Sequence, residues 1–346
     1  MNDAKCVVAE EEDKAILPCK PAQKRRGSDF LNESDFIEEG DTVIIYVNFG
    51  TVCAITVKRG ERLNMRYGTL KHDFLIGKRY GSRVSATAGY VYVLRPSADL
   101  WTRTLPRRTQ ILYSPDSSLI LLLLDIKPGS VICESGTGSG SLSHALAVAV
   151  APTGHVYTHD IDEPRVRQVE EEFKKHGLSD VTTCINQDVC EDGFFVTNAC
   201  DGVFLDLPAP WLAIKHAKVA LSRSRGGRLV SFSPCVEQVL KVCEELRRLG
   251  FVQVSTVELV PKMHKVVELR NDSLRQFNTV ASNTEEEAGG KRRRIENNGS
   301  EPCSETISDV VEGSKNAHFS FLPYPLTQPT HTGYLTSATL LPCFTS

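Results

Sequence analysis

Hydrophobic and polar positions divide the chain into three regimes. Between residues 36 and 100 lie short β-type runs, Asp41-Thr-Val-Ile-Ile-Tyr-Val, Thr51-Val-Cys-Ala-Ile-Thr-Val and Gly89-Tyr-Val-Tyr-Val-Leu. Gly, Asn and charged residues separate them, and no helical period fits. They predict a small β domain, sandwich- or barrel-like. From 110 to 260 strand and helix patterns alternate. Strands are expected at 130–135, 154–160, 181–187, 200–207, 227–233 and 251–260, and helices at 142–150, 163–176, 211–221 and 236–249. Such alternation implies right-handed βαβ units and a parallel sheet covered on both faces, an α/β fold. Residues 271–318 are dominated by Asn, Ser, Glu and Gly and bury too little apolar surface to order themselves, whereas His331-Thr-Gly-Tyr-Leu-Thr-Ser-Ala-Thr-Leu alternates like a strand. The boundaries that follow are a disordered tail at 1–33, a small β domain at 36–105, an α/β domain at 106–270 and 325–342, and a disordered insertion at 271–324 between two late strands of one sheet.

Composition narrows the function classes. The 346 residues carry a net charge of -3, which excludes a uniformly basic nucleic-acid protein. Residues 36–110 nevertheless hold twelve basic against six acidic side chains, a local cationic excess suited to RNA phosphates. The longest aliphatic run, Leu119 to Leu124, is far short of the roughly 20 residues of a membrane span. The 11 cysteines, an odd number with no pair three residues apart, read as reduced and mostly buried thiols. The nine histidines are read as having no H-x-x-x-H or other metal spacing, and no metal is expected. Lys291-Arg-Arg-Arg in the insertion reads as a nuclear-import cluster, and Glu10-Glu-Glu-Asp argues against an acid-poor mitochondrial transit peptide; a nuclear location is expected.

The strongest local signal is Glu134-Ser-Gly-Thr-Gly-Ser-Gly-Ser141, which follows an apolar strand and precedes an amphipathic helix. Glycines there allow positive φ and close ligand approach, and the helix start adds free amide donors. A dinucleotide fingerprint meets Ser141 where its third glycine belongs, and a mononucleotide P-loop lacks its lysine. Glu134-x-Gly136-x-Gly138-x-Gly140 instead resembles the first motif of class I S-adenosylmethionine-dependent methyltransferases. The next strand ends in Asp160-Ile161-Asp162. Asp160, 24 residues after Gly136, is the better ribose ligand, and Asp162 suits a helix N-cap. The third strand ends in Asp188-Val189, which can meet an adenine ring or form a plain Asx-turn.

Asp206-Leu-Pro-Ala-Pro-Trp211 closes the fourth strand at the sheet edge where such folds bind ligands. With Gln110-Ile-Leu-Tyr-Ser, the glycine turn, Phe232-Ser-Pro-Cys and His331-Thr-Gly-Tyr-Leu-Thr in register, the chain resembles the catalytic subunits of tRNA (adenine-N1)-methyltransferases over roughly 36–270 and 325–340. The resemblance implies a Rossmann-like class I methyltransferase sheet behind the small β domain. It implies S-adenosyl-L-methionine as cofactor and adenine 58 of the tRNA T-loop as target. It implies as partner a non-catalytic homologous subunit, in a heterotetramer of two copies each. Carried onto this chain, it assigns the cofactor to Leu112, Ser135, Gly136, Gly138, Ser139, Gly140, Ser141, Asp160, Arg165, Asp188, Val189 and Asp206. It assigns the substrate to Gln110, Ile111, Leu112, Tyr113, Ser114, Leu205, Leu207, Pro208, His331 and Thr332, and catalysis to Asp206. The family usually places Glu at the ribose position, where this chain has Asp160.

The chemistry expected is in-line transfer to adenine N1, with the Asp206 carboxylate accepting from the exocyclic amine as positive charge develops on the ring. N1 lies on the base-pairing edge, so the base leaves its stack first, with Tyr113 or Trp211 as supports; for Trp211 a helix-start core position is the plainer alternative. Rival readings are a non-catalytic RNA-binding homologue, a same-fold methyltransferase for another substrate and, more distantly, a nicotinamide-dependent dehydrogenase.

Overall fold

The structure, a computed structural model, describes residues 29–31, 34–48, 50–66, 68–105, 111–260, 262, 264–269, 318–323 and 333–343. The first part is β: β1 (Thr42–Asn48), β2 (Thr51–Thr56), β3 (Arg62–Met65), β4 (Gly68–Lys71), β5 (Arg83–Ala86) and β6 (Gly89–Leu94). An antiparallel sheet in the order β2-β1-β6-β5 stands beside a β3-β4 hairpin. The alternation in β6 reads out directly. Val91 and Val93 enter a core with Val43, Ile45, Val57 and Leu70, while Tyr90 and Tyr92 face out with Arg83 stacked 4.3 Å from the Tyr90 ring.

Two helices then precede the large sheet, α1 (Ala98–Thr104) and α2 (Ser114–Leu123). Neither is among the expected helices. In α2 Leu119 to Leu123 are apolar all round the axis, so no helical period marks it. Helix α1 starts inside the range expected for the β domain but packs on the first helix of the glycine turn as well as on β2, so it bridges the two domains.

The large sheet comprises β7 (Val131–Ser135), β8 (His155–Asp160), β9 (Thr182–Asn186), β10 (Gly202–Leu205), β11 (Gly227–Ser233) and β12 (Val252–Glu258), with α3 (Ser141–Val150), α4 (Glu163–Lys175), α5 (Pro210–Ala220) and α6 (Val236–Arg248) between them. A last strand, β15 (Tyr334–Leu340), inserts between β11 and β12, giving the order β12-β15-β11-β10-β7-β8-β9. Strands β7 to β11 are mutually parallel, and β15 runs antiparallel to both of its neighbours. The sheet is therefore mixed rather than wholly parallel. Strict alternation sends side chains to two cores: Val203, Leu205 and Leu229 meet α5 and α6, while Ile132, Phe204 and Val230 meet α2 and α3.

Two boundaries differ from expectation. Residues 29–31, at the end of the expected tail, are docked: the Phe30 amide donates to the His176 carbonyl at 3.3 Å, and Phe30 and Leu31 pack on the α3–α4 core. The rest of the tail, 1–28 and 32–33, lies outside the described residues, as does the Lys291–Arg294 cluster. Within the expected insertion, residues 318–323 form strand β14, paired antiparallel with β13 (His264–Leu269) from His264↔Pro323 to Leu269↔His318, in a unit of its own spanning 260–331. Its two halves are too far apart in sequence for any local turn signal to join them.

Candidate active site

Strand β7 delivers the chain to the glycine turn at the carboxyl edge of the sheet. Gly136 takes φ +91°, and a Cβ there would run into the backbone carbonyl of Asp206, just beyond β10. The two segments are also tied by Asp206 N–H donating to the Ser135 carbonyl at 2.9 Å. Gly136 is thus required by its neighbour strand as well as by any ligand. Gly138 and Gly140 are also left-handed, at φ +55° and +73°, and Gly140 caps the start of α3. Ser139 is half-buried in the turn. The Ser141 hydroxyl donates to the Leu112 carbonyl and contacts the Thr102 hydroxyl, each at 2.8 Å, so it pins the 111–114 segment and α1 to the first turn of α3.

Asp160 ends β8 almost wholly buried. Its carboxylate accepts from the Gly138 amide, the Asp162 amide and, with both oxygens, the Arg165 guanidinium, all at 3.0 Å. Asp162 caps α4 by accepting from the Arg165 amide at 3.1 Å. The two acids flanking Ile161 therefore have separate duties: Asp160 reaches back to the glycine turn, and Asp162 starts the helix. Ile161 itself is 72% exposed, an apolar side chain at the sheet edge. Asp188 accepts from the Cys190 amide at 2.8 Å, the Asx-turn geometry, and Val189 buries its side chain while none of the described residues accepts from its N–H.

Asp206 is the contrasting acid. It is half-buried, and no described residue donates to its carboxylate; its partial desolvation pushes its pKa up from 3.8 to about 6. Leu205 is in the core, Leu207 half-buried and Pro208 exposed, with the Pro208 carbonyl accepting from the Gln238 amide at 2.9 Å. Ile111 and Leu112 are buried, and Tyr113 and Ser114 are half-buried at the start of α2. Trp211 packs in the α5–α6 core with the Lys241 ammonium 4.4 Å from its ring, the helix-start role rather than a support for a base. Gln110, His331 and Thr332 lie outside the described residues.

Two further residues, neither among those assigned to cofactor or substrate, line the site. Glu134 supplies the acid of the glycine pattern, and its side chain is fully buried with Ser143 Oγ donating to it at 2.5 Å. Burial first, then the Asp206 and Asp160 charges, push it up to about 7, against the lowering effect of Ser143 and Thr158. His159 is buried beside it: Nδ1 donates to the Glu134 carbonyl at 3.0 Å, because Nε2 is taken as acceptor by the Phe195 amide at 3.1 Å. Contrary to the expectation that no H-x-x-x-H occurs, His155 and His159 have that spacing, but it falls on a strand, about 13 Å of backbone apart at ~3.3 Å per residue, too far for a shared metal. Among the described residues no group of three or more His, Cys, Asp or Glu is placed to hold one.

Comparison with known proteins bears on this geometry. The family described as "tRNA methyltransferase complex GCD14 subunit" matches residues 89–340. A tRNA (adenine(58)-N(1))-methyltransferase catalytic subunit, TRM61, of Candida albicans is 37% identical over 336 residues, covering 90% of this chain and 99% of the relative. Among solved structures, an S-adenosylmethionine-dependent O-methyltransferase from Thermotoga maritima superposes with TM-score 0.66 at 24% identity, covering 90% of this chain and 97% of its own. The tRNA (m1A58) methyltransferase TrmI from Aquifex aeolicus superposes with TM-score 0.62 at 23% identity, covering 89% and 100%. The two structures establish a shared class I methyltransferase fold.

Proposed function

The chain belongs to the family of tRNA methyltransferase complex GCD14 subunits, and from that premise we propose that it is the catalytic subunit that methylates N1 of adenine 58 in the T-loop of tRNA. The observation that carries the reading is Asp206: a half-buried carboxylate to which none of the described residues donates, locked by its own backbone against the glycine turn.

The residues present fit S-adenosylmethionine, which when bound supplies an electrophilic methyl group. At the sheet edge, none of the described residues donates to the Asp206 carboxylate or accepts from the Val189 N–H, and the buried Ser233 hydroxyl at the end of β11 also has no partner among them. The first suits the target purine's amine and the second a ring nitrogen of the cofactor's adenine, with Ile161 as its apolar face. The glycine turn brings backbone close to the amino-acid end. Asp160 is the ribose ligand of this reading, and here its four lone-pair positions are already engaged. A ribose hydroxyl takes one of them as the half-exposed Arg165 side chain gives it up.

Once the target adenine is extruded, at a cost of a few kcal/mol, its N1 lone pair must point at the methyl group. Asp206 fixes that orientation by accepting from the exocyclic amine. As N1 is alkylated the ring becomes cationic, and the half-buried carboxylate stabilises that charge more strongly than water does, then takes the amine proton if the product loses it. A second reading, a non-catalytic homologue, leaves a costly unpartnered carboxylate beside the turn with no use.

The remaining elements of the proposal are the assembly and the location: a heterotetramer with a non-catalytic homologous subunit, and nuclear import through Lys291–Arg294. The family description supports a complex. The local cationic excess around Arg62, Lys71 and Arg83 supports RNA contact. The test is labelled methyl transfer to unmodified tRNA with and without the partner, followed by nucleoside mapping; label at any position other than N1 of adenine 58 rejects the assignment. Alanines at Lys291–Arg294 should shift a fluorescent fusion out of the nucleus.

A further inference from the structure

We propose that His144 is a positioning residue for the glycine turn: its ring anchors the Gly140 carbonyl and so sets how firmly the turn holds the cofactor. The inference rests on the reading that this turn is the cofactor site.

Gly140 has nothing of its own to fix it. Its left-handed φ of +73° excludes most side chains, and a Cβ would stand 3.0 Å from a Val169 methyl of α4. The position is held by hydrogen bonds instead. Its N–H donates to the Thr137 carbonyl at 2.9 Å, and its carbonyl accepts twice from His144, from the backbone N–H at 3.1 Å and from ring Nδ1 at 2.6 Å. The second of these is absent from an ordinary helix start. It spans one turn, because residues four apart share a helix face.

The ring is held in one protonation pattern. A carbonyl only accepts, so His144 Nδ1 carries the proton and Nε2 is bare. His176 Nδ1, 2.9 Å from that Nε2, is therefore the donor. Burial pushes His144 down to about 4 and His176 to about 3, so both rings are neutral at neutral pH and the pattern is stable. His176 is the C-cap of α4, and its carbonyl accepts the Phe30 amide. Aromatic rings wall the pair: Phe173 at 4.8 Å from His144, and Phe30 and Trp101 at 4.8 and 4.4 Å from His176. The chain of contacts runs from the N-terminal segment, through the end of α4, to the carbonyl of the turn. A packing residue alone has no need of a directed nitrogen at both ends.

Two substitutions separate the bonds. In His144→Asn the amide NH2 occupies the place of Nδ1, keeping the Gly140 bond and losing His176. In His144→Gln it occupies the place of Nε2, losing Gly140. Isothermal titration of S-adenosylhomocysteine into the full-length protein with its partner should give affinity within about threefold of wild type for His144→Asn and about tenfold weaker for His144→Gln. Melting temperature, measured in parallel, should fall for both. Equal losses of affinity, or none, overturn the proposal. Wild-type protein that binds no S-adenosylhomocysteine overturns the underlying cofactor reading instead. A readout independent of any variant is the ring-nitrogen NMR spectrum of wild type, where a proton on Nε2 rather than Nδ1 of His144 also sinks it.

Discussion

Asp160 and Asp206 stand at the same carboxyl edge of one sheet, each closing a buried strand, yet their surroundings are opposite. Asp160 is a scaffold: its oxygens tie the glycine turn, the start of α4 and Arg165 together. Among the described residues Asp206 is held through its backbone alone, and its half-buried carboxylate is left to bear the cost of desolvation. The side of the site that must keep its shape has satisfied its polar groups in advance. The side that must act on a developing charge has its carboxylate unsatisfied. Unpartnered burial at this edge, more than the presence of an acid, marks where chemistry is expected.

The largest effect that tests this contrast is on rate. Asp206→Asn should cut single-turnover methyl transfer by about 100- to 1,000-fold while S-adenosylhomocysteine affinity stays within about threefold, because only the interaction with developing charge is lost. A variant with wild-type turnover removes the distinction between the two acids. Asp160→Ala should act the other way. It strands two backbone amides and a guanidinium, costing about 2–4 kcal/mol of stability and weakening the cofactor by ~10-fold or more, read by calorimetry and titration.

Acid should reproduce part of the first result. With Asp206 near 6, kcat/KM should fall about tenfold per unit below pH 6, whereas an ordinary carboxylate leaves the rate flat to about pH 4. The stability change has the opposite sign. The folded chain binds this proton more tightly than the unfolded one, so the stabilisation is complete below about pH 4 and is lost as pH rises to about 6. Above that the ionised group costs roughly 2–3 kcal/mol at most, from about two pKa units at 1.36 kcal/mol each, and Asp206→Asn should therefore melt a few degrees above wild type at pH 7.5. A lower melting point would mean that the carboxylate has a partner in solution. The smallest effect belongs to Lys241→Met, which removes the cation over Trp211; it should change stability by less than about 1 kcal/mol and leave turnover intact.

Much of this contrast is hidden in the sequence, though the residues themselves are not. Strand β11 is found over the residues expected, 227–233, and α3, α4 and α6 begin or end within one residue of expectation, because each is a local pattern bounded by its own turn. The unexpected α1 and α2 lack a readable amphipathic stripe, and the β13–β14 pair joins segments far apart in the sequence. Glu134 stands in the glycine motif, but its burial and its bond to Ser143 do not show there, and His159 enters the site through bonds that no motif announces. The glycines were legible, but one of their reasons was not: Gly136 has no room for a Cβ chiefly because β10 passes so close.

From its own residues the chain determines the α/β alternation, the glycine turn after β7 and an acid at the end of each of the next strands, since a strand, its turn and the following helix are contiguous and their chemistry is written locally. Tertiary structure alone decides that Asp160 is spoken for while Asp206 is not, that β15 runs against its neighbours, and that Phe30 reaches the end of α4. Hydrogen-bond partners and dielectric surroundings come from segments tens to hundreds of residues away, and two identical side chains acquire different roles only when those segments meet.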